Sequence, residues 1–544
     1  MISSSKLGAL AALTLAASSM AASMAEWQNR TIYQLVTDRF AKTKDDGGPC
    51  DAGARQYCGG TWQGIINHLD YIQGMGFDAI WISPVVANIE TNTTYGQAYH
   101  GYWTQDFNAL NPHFGAESDL QALATAVHAR GMYLMFDVVL NHVAYAPPSN
   151  ATNPSTFGSS LAGNYTPFAT APDYHSFCFI SDYNNQTNVE QCWLGDMNVA
   201  LPDLDTENAD VVSGLVSSVS NLIKTYGVDG LRLDTVKHIR QSFYPGFLSS
   251  IGGLYSLGEV LDGLANYTGA YTNYVDAVFN YPQYYVLTST FANSTGKMSD
   301  LVQSFNDTQT YFKNGAMSTG AFSENQDNPR LPALISDKVQ IQNIIAWTFG
   351  GDGIPITYYG QEAGYSGGED PQNREALWFT SYSTSVLNYQ FITLLNAARR
   401  MAMKANSAFI TSPAVIAGSS NNAIALAKFP LLTVLTNAGN ASAVTSFTVS
   451  SGSGYKSGVT LVNILASGCD ATTVAKDGSL TVNFTGGLPK VYLPTTALNA
   501  TGPCGKLATS GSTSKDSGAI QAGRAYGGLV FAVVGAVVGS LALL

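Results

Sequence analysis

Short apolar runs recur through the first two thirds of the chain, separated by stretches whose apolar residues have helical spacing. The helical stretches include residues 62–74, 118–130 and 209–226. The apolar runs predict eight strands, at residues 31–36, 78–84, 133–139, 230–234, 255–260, 276–280, 320–324 and 354–359. Strands that are apolar on both faces are typical of parallel sheets covered by helices, and eight is the number in a (β/α)₈ barrel.

Two segments break this alternation. Residues 143–204 are rich in Asn, Ser, Tyr and Pro and are too long for a plain loop, so they predict a subdomain inserted after the third strand. In residues 411–504, short strands follow at close spacing with Gly, Asn and Ser turns. We therefore predict an α/β fold, with a (β/α)₈ TIM barrel over residues 26–410, this insertion, and a C-terminal antiparallel β-sandwich domain.

The first residues have the composition of a secretory signal peptide. Residues 1–25 carry one charged side chain, Lys6, followed by an Ala/Leu-rich run and then by small residues before Ala25. This pattern predicts a signal peptide cleaved near Ala25. A membrane anchor is the alternative, and the shortness of the apolar run disfavours it.

The last residues have the composition of a glycosylphosphatidylinositol (GPI) attachment signal. A Ser/Thr-rich linker at residues 505–517 is followed, at residues 518–544, by a polar spacer and an apolar tail with no Lys or Arg after it. Small residues, spacer and terminal tail together predict GPI attachment at Ser517. The alternative attachment residues are Ser510, Ser512 and Ser514, and a C-terminal transmembrane helix is the alternative reading of the tail.

Charge and cysteine content narrow the functional class. The net charge of −12 disfavours nucleic acid as a partner and is compatible with a neutral substrate. Six cysteines between the two processing signals, without a Cys-x-x-Cys motif, favour disulfides over a zinc site. Local pairing would give Cys50–Cys58, Cys178–Cys192 and Cys469–Cys504. Frequent Asn-x-Ser/Thr sequons, Asn29 and Asn92 among them, add to the prediction of a secreted glycoprotein.

Acidic residues follow three of the predicted strands. In residues 230–238 (GLRLDTVKH), Arg232 and Asp234 alternate with leucines and so share one face of a strand. Glu259 and Asp327 follow later strands, and the carboxyl ends of barrel strands converge on one face. Glycoside cleavage with retention uses one carboxylate as nucleophile and a second as acid/base. A buried structural Arg–Asp pair is the alternative for residues 232 and 234.

Four motifs in order resemble those of the α-amylase family of glycoside hydrolases, and most closely the secreted fungal α-amylases. They are DVVLNH at 137–142, GLRLDTVKH at 230–238, GEVLDG at 258–263 and FSENQDNPR at 322–330. The resemblance extends from about residue 27 to residue 504. It implies that Asp234 is the nucleophile, Glu259 the acid/base, and Asp327 the residue that stabilises the transition state. Arg232 would keep Asp234 ionised.

The resemblance also implies substrate-binding residues and a metal. The sugar in the reacting subsite would be bound by His100, Tyr102, Trp103, His142, Gln326, Asp370 and Arg374, and the leaving-group side would be formed by Lys237 and His238. A structural calcium ion would be held by the side chains of Asn141, Glu190 and Asp203 and by the backbone carbonyl of His238. The three cysteine pairs fall where the fungal enzymes have theirs. A fourth family disulfide is absent, because Ser256 replaces one of its cysteines.

Gln326 departs from the family pattern, which has histidine at this position. Glutamine can donate a hydrogen bond, but it is uncharged and has a different shape. Some GPI-anchored fungal relatives that replace this histidine are 4-α-glucanotransferases, although these often lose the histidine that matches His142, which is retained here. The preferred prediction is therefore hydrolysis of internal α-1,4-glucosidic bonds in starch- or glycogen-type α-glucans. Glucan transfer between malto-oligosaccharides is the alternative.

The resemblance, the C-terminal tail and the net charge together set the expected partners and location. The partners are an α-glucan or malto-oligosaccharide substrate and a GPI lipid anchor, with no nucleic acid, and we expect a monomer. The location is the outer face of the cell membrane or the cell wall. A non-catalytic glucan-binding or partner protein is a third reading, which the intact Asp234, Glu259 and Asp327 disfavour.

Overall fold

A computed structural model describes residues 22–147, 165–440, 444–466 and 470–498 of the chain. Its centre is a closed barrel of eight parallel strands in which each strand pairs with the strands before and after it in sequence. The strands are β1 Ile32–Leu35, β2 Ala79–Ile82, β3 Tyr133–Val138, β4 Gly230–Leu233, β5 Tyr255–Gly258, β6 Ala277–Phe279, β7 Thr319–Phe322 and β8 Ile354–Tyr358. The predicted (β/α)₈ barrel is confirmed, with strands shorter by one or two residues at most ends.

Apolar side chains fill the inside of the barrel. Trp81, Met135, Leu257 and Ile356 belong to one buried cluster there. Trp27, on the helix Met24–Gln28, covers the end of the barrel at which the strands begin. The indole stacks on Tyr255 with ring centroids 5.1 Å apart and donates a hydrogen bond of 3.0 Å to the carbonyl of Asp229. The predicted signal-peptide cleavage near Ala25 falls within this helix and stays a prediction.

Helices pack around the barrel after each strand. They are Trp62–Asn67 and Leu69–Gly74 after β1, Glu117–Ala129 after β2, Ala209–Tyr226 after β3, Phe243–Ser250 after β4, Ala265–Ala270 after β5, Tyr281–Phe291 and Met298–Tyr311 after β6, Leu331–Leu334 and Lys338–Gly350 after β7, and Leu387–Ala405 after β8. The single helix predicted at residues 62–74 is wrong, because the backbone breaks at His68, with φ −117° and ψ 15°. The ring of His68 stacks on Tyr382 and its Nε2 lies 3.0 Å from Asp45.

Two loops of the barrel carry structure of their own. The sequence predicts a long loop after β2, but this segment contains paired strands at Val86–Asn88 and Thr104–Leu110. In the insertion, the described residues form the helix Gln186–Gln191 and the short strands Leu194–Gly195 and Ala200–Leu201. The disulfide Cys178–Cys192 ties this region together, and Cys50–Cys58 closes a loop after β1. Cys469 and Cys504 lie outside the described residues.

The C-terminal domain is built from antiparallel strands, as predicted. A six-stranded sheet and a two-stranded sheet are formed by β9 Val415–Ser419, β10 Ala423–Lys428, β11 Leu431–Thr436, β12 Ser446–Val449, β13 Thr460–Asn463, β14 Ala471–Thr473, β15 Leu480–Asn483 and β16 Lys490–Pro494. The sequence predicts six of these strands, at residues 423–429, 432–436, 446–450, 458–463, 479–483 and 490–493, and it does not predict β9 or β14. A buried ion pair between Lys428 and Asp352 joins this domain to the barrel.

The predicted processing signals lie largely outside this structure. Residues 505–544, with Ser517 and its alternatives, fall beyond the described part of the chain. Among the described residues, no helix combines the length and the apolar character that crossing a membrane requires.

Candidate active site

The candidate site lies at the carboxyl ends of neighbouring barrel strands. Asp137 in β3 and Arg232 in β4 are partners in the strand register. Asp234 comes directly after β4 and Glu259 directly after β5. All four residues are buried, with relative exposures of 7% or less. Parallel barrel strands bring their carboxyl ends to one face, which explains why residues so far apart in sequence meet here.

The guanidinium of Arg232 is the centre of this site. Its Nη1 lies 2.8 Å from Asp137 Oδ1 and 2.7 Å from Asp234 Oδ1, and its Nη2 lies 3.0 Å from Glu259 Oε1. The rings of Trp81 and Tyr102 flank the cation. One arginine therefore holds three carboxylates, two of which are the predicted nucleophile and acid/base.

A strained residue fixes the position of Glu259. Thr235 has φ 47°, in the left-handed region that a β-branched residue rarely occupies. This conformation directs the Thr235 N–H to Glu259 Oε2, at 3.0 Å. Strain of this kind persists only where the surrounding structure enforces it, and it is common at functional sites.

Burial dominates the electrostatics of the carboxylate cluster. It raises the pKa of Asp234 well above its ordinary value, and the negative charges of Glu259 and Asp137 raise it further, while Arg232 opposes this. Burial likewise raises the pKa of Asp137, again against the effect of Arg232. Because three buried carboxylates share a single guanidinium, burial and mutual repulsion favour the protonated forms of Asp234 and Asp137 more than they would for exposed carboxyl groups.

Asp327 lies beside this cluster on the loop after β7. Its Oδ1 is 3.5 Å from Arg374 Nη2, and Arg374 Nη1 is 3.1 Å from Asp370 Oδ1. Burial, followed by the charge of Glu259, raises the pKa of Asp327 to about 6, whereas Arg374 and Arg232 lower it. The structure thus brings Asp327, Asp370 and Arg374 together, as the sequence predicts.

Gln326 is buried and takes part in a hydrogen-bond chain. Its Nε2 donates to the hydroxyl of Tyr102, and the Tyr102 hydroxyl donates to Asp137 Oδ2 at 2.6 Å. Gln34 Nε2 lies 3.4 Å from Gln326 Oε1. The Gln326 amide is therefore linked, through Tyr102 and Asp137, to the arginine that holds Asp234.

The predicted histidines and Trp103 lie around Tyr102. The Tyr102 N–H donates to His100 Nδ1 at 3.0 Å, and His142 Nε2 donates to the Tyr102 carbonyl at 3.2 Å. Burial lowers the pKa of His100 well below its ordinary value and lowers that of His142 to about 4, so both rings are neutral near pH 7. Trp103 is half-buried against a small apolar cluster that includes Ala98 and Ala144.

Lys237 and His238 lie beyond β4, on the side of Glu259. Lys237 Nζ donates to the carbonyl of Leu261 at 2.7 Å and lies 5.3 Å from the centroid of the Tyr183 ring, which is 59% exposed. His238 is buried, and neither of its ring nitrogens has a hydrogen-bond partner among the described residues. Tyr183, which the sequence prediction did not select, therefore lies beside Lys237 on the same side of the site.

The predicted metal ligands also converge. The backbone N–H of Leu204 donates to the Asn141 carbonyl, which places Asn141 next to Asp203. Asn141 Oδ1 and Asp203 Oδ1 are buried and accept no hydrogen bond from the described residues. Gln186 donates to Glu190 and to the carbonyl of Lys237, which brings Glu190 to the segment of His238. A second, more exposed group of ligand atoms is formed by His175, Asp205 and Glu207, and it adjoins the first because His175 Nδ1 lies 2.6 Å from Asp203 Oδ2.

Comparison with known proteins decides the family. The model of the α-amylase catalytic domain matches residues 34–405, and that of α-amylase domain C matches residues 416–512. The chain belongs to the α-amylase family. It is 44% identical over 486 residues to α-amylase 2 of Schwanniomyces occidentalis, covering 88% of this chain and 93% of that protein. It is 42% identical over 476 residues to the α-amylase of Saccharomycopsis fibuligera, covering 86% and 92%.

A solved structure agrees with these relatives. The α-amylase from Malbranchea cinnamomea superposes with a TM-score of 0.83 at 42% identity, covering 88% of this chain and 99% of that one. Together, the family match and these relatives show that the chain is an enzyme of the α-amylase type.

The α-amylase site also contains a residue that sequence reasoning did not select, Asp137. It opens the DVVLNH motif, and it lies on a strand next to Arg232. Trp81 Nε1 and Tyr102 OH both donate to its Oδ2. A carboxylate inside an apolar strand is a signal that could have identified it, because unpaired buried carboxylates are rare.

Proposed function

We propose that this α-amylase hydrolyses internal α-1,4-glucosidic bonds of starch- or glycogen-type glucans with retention of anomeric configuration. The observation that supports the proposal is the pair Asp234 and Glu259 on two nitrogens of one guanidinium, at 2.7 and 3.0 Å. Double displacement requires two carboxyl groups roughly 5–5.5 Å apart, and a shared guanidinium is an arrangement that keeps two carboxyl groups near each other.

In the proposed mechanism, a carboxylate oxygen of Asp234 attacks the anomeric carbon while the bond to the leaving oxygen breaks. Glu259 gives its proton to that oxygen. A water molecule then attacks the anomeric carbon of the glycosyl–Asp234 ester, giving up a proton to Glu259, and Asp234 leaves. Asp327 would bind the sugar hydroxyls and stabilise the positive charge of the transition state.

The environment of the pair suits these two roles. The retaining mechanism needs an ionised nucleophile and a protonated acid in the same site. Arg232 donates directly to Asp234 Oδ1, which favours the ionised form of this carboxylate. Glu259 is oriented separately, because its Oε2 accepts a hydrogen bond from the Thr235 N–H.

The test is the time course of products from maltopentaose. We expect shorter oligosaccharides whose newly formed reducing ends appear first as the α-anomer in ¹H NMR spectra, before mutarotation. Initial release of the β-anomer would disprove the retaining mechanism. Absence of turnover on both maltopentaose and starch, with an Asp234→Asn variant indistinguishable from wild type, would support the non-catalytic reading instead.

The second candidate function is 4-α-glucanotransfer, and Gln326 is the observation that favours it. Gln326 is neutral and hydrogen-bonds to Tyr102 rather than presenting an imidazole to the substrate. In the same maltopentaose assay, oligosaccharides longer than the substrate would appear early if transfer competes with hydrolysis. Gln326→His is the matched variant, and we expect it to raise the ratio of hydrolysis to transfer by about fivefold, a difference typical of one altered hydrogen bond.

We further propose that the enzyme acts at the cell surface, either at the outer face of the membrane through a GPI anchor or in the cell wall. The support is the leader at residues 1–25 and the tail at residues 518–544. An α-glucan of the wall would then be within reach of the enzyme.

A bound calcium ion is also proposed, between the barrel and the insertion. The support is the pair of buried oxygens Asn141 Oδ1 and Asp203 Oδ1, which lack donors among the described residues. Oxygen atoms of this kind are the ligands that calcium prefers, and the side chain of Glu190 and the carbonyl of His238 would complete the set. Such an ion would fix the insertion against the strand ends that carry the site.

We expect removal of calcium with EGTA to lower the thermal unfolding midpoint by about 5 °C, because an ion that binds only the folded state stabilises it. Re-addition of calcium should restore the midpoint. Asp203→Asn should abolish most of this response, whereas Asp205→Asn, in the more exposed group with His175, should retain it. The reverse result would assign the ion to the exposed group and contradict the proposed ligands.

A further inference from the structure

The loop closed by Cys50–Cys58 is held rigidly against the candidate site. Within it Arg55 has φ 52°, an uncommon conformation for a residue with a side chain. The carbonyl of Arg55 accepts a hydrogen bond of 2.8 Å from the N–H of Gln97, and Arg39 Nη1 donates to the carbonyl of Gln56 at 2.9 Å. The disulfide and these contacts fix the direction in which the Arg55 side chain leaves the loop.

The guanidinium of Arg55 binds Asp370 in two ways. Its Nη1 is 3.2 Å from Asp370 Oδ2, and its Nη2 donates to the Asp370 carbonyl at 3.1 Å. The loop closed by Cys50–Cys58 and the segment that contains Asp370 also approach closely at Gly53, where an added Cβ would lie 3.2 Å from Gln372 Nε2. Arg55 therefore determines the position of Asp370 through both its side chain and its backbone.

A chain of alternating charges runs from Arg55 to the centre of the site. Asp370 pairs with Arg374 at 3.1 Å, and Arg374 reaches Asp327 at 3.5 Å. The exposed fraction of the side chain is 33% at Arg55 and 10% at Arg374. Asp370 and Asp327 are also partly solvated, at 34% and 30%, so Arg374 is the interior member of the chain, where electrostatic interactions are stronger.

We propose that Arg55 is a positioning residue for Asp327, acting through Asp370 and Arg374. The inference rests on the proposed function, since it takes Asp327 as part of the reacting machinery. With Arg55 present, the charge of Asp370 is shared between two arginines. Without Arg55, Asp370 pairs with Arg374 alone and draws its guanidinium away from Asp327. Arg374 already lies farther from Asp327, at 3.5 Å, than from Asp370, at 3.1 Å.

The pH profile distinguishes this role from a merely structural one. Asp327 is surrounded by the negative charges of Glu259 and Asp370 and by the positive charges of Arg374 and Arg232. Loss of the Arg55 charge, and of part of the Arg374 contact, would raise the pKa of Asp327 above its value of about 6. An enzyme that needs Asp327 ionised loses activity as the pH falls through this pKa, so the acidic limb should move to higher pH.

The experiment compares Arg55→Gln with wild type on maltopentaose across the pH range. We expect kcat/KM at neutral pH to fall roughly fivefold, mostly in kcat, with the acidic limb displaced upward by about half a pH unit. Arg55→Lys, which keeps the charge, should recover most of the displacement. Arg130→Gln is the matched control, because Arg130 is similarly exposed and pairs with Asp70 on a remote helix. It should behave like wild type.

A double-mutant cycle with Asp370→Asn completes the test. If Arg55 acts through Asp370, Arg55→Gln should have little further effect in the Asp370→Asn background. Equal effects in both backgrounds, or an Arg55→Gln variant that matches Arg130→Gln, would overturn the inference. Wild-type protein that does not turn over maltopentaose would instead disprove the proposed function, so the two failures are separate results.

Discussion

Asp234→Asn is expected to lower kcat/KM on maltopentaose by about four orders of magnitude, because it removes the nucleophile of the proposed double displacement. Asparagine has nearly the same shape, and Arg232 still pairs with Asp137 and Glu259. Neutralising one of three crowded carboxylates also relieves repulsion within the cluster. The thermal unfolding midpoint should therefore remain at or slightly above that of wild type. Steady-state kinetics and thermal unfolding of the same preparation measure the two effects.

Asp229→Asn is the matched control for this prediction. Asp229 precedes the same strand at its opposite end, where its Oδ2 accepts from His128 Nε2 and from the backbone N–H of Leu134. Its loss should reduce stability while kcat/KM stays within about twofold of wild type, since these contacts lie at the opposite end of the strand from the site and contribute to folding and not to the chemistry. Comparable activity in Asp234→Asn and wild type would contradict the assigned nucleophile.

The barrel was predictable because its evidence is local and repeated. The barrel strands are short and mostly apolar, and the helix Ala209–Tyr226 has the predicted bounds. The break at His68 was not predictable from the spacing of apolar residues, because it depends on Tyr382, which is distant in sequence. The edge strand Val415–Ser419 is partly exposed and contains Gly418, so its pattern is weak, and the register shift beside Gly418 weakens it further.

The site was predictable where a residue carries its own motif. Asp234, Glu259 and Asp327 follow strands and match motifs, so their convergence could be expected from the barrel alone. Arg55 has no such signal, since its role depends on a disulfide loop meeting the distant Asp370. Likewise, Gln326 could be recognised as a departure from the family, but its link to Tyr102 required the packed structure. Contacts between separate loops are the part of an active site that sequence patterns leave undetermined.

Arg232→Lys should lower kcat/KM by about 10²- to 10³-fold although the positive charge is kept. Arginine uses two nitrogens in a fixed plane to hold Asp137, Asp234 and Glu259 at once. A lysine ammonium is a point charge on a flexible stem, so it cannot fix three carboxylates in the same geometry. The nucleophile and the acid/base would then lose their mutual orientation, which is the property that the two-step mechanism requires.

Arg399→Lys separates this loss from a general effect of replacing a buried arginine. Arg399 is as buried as Arg232, at 2% exposure. It donates to the backbone carbonyls of Gly351 and Gly353 rather than to carboxylates. Thermal unfolding should show that both variants are destabilised, whereas kcat/KM should fall sharply only for Arg232→Lys. If the two variants lost activity equally, stability alone would explain the effect. If Arg232→Lys kept full activity, a point charge would suffice and the bridging role of the guanidinium would be wrong.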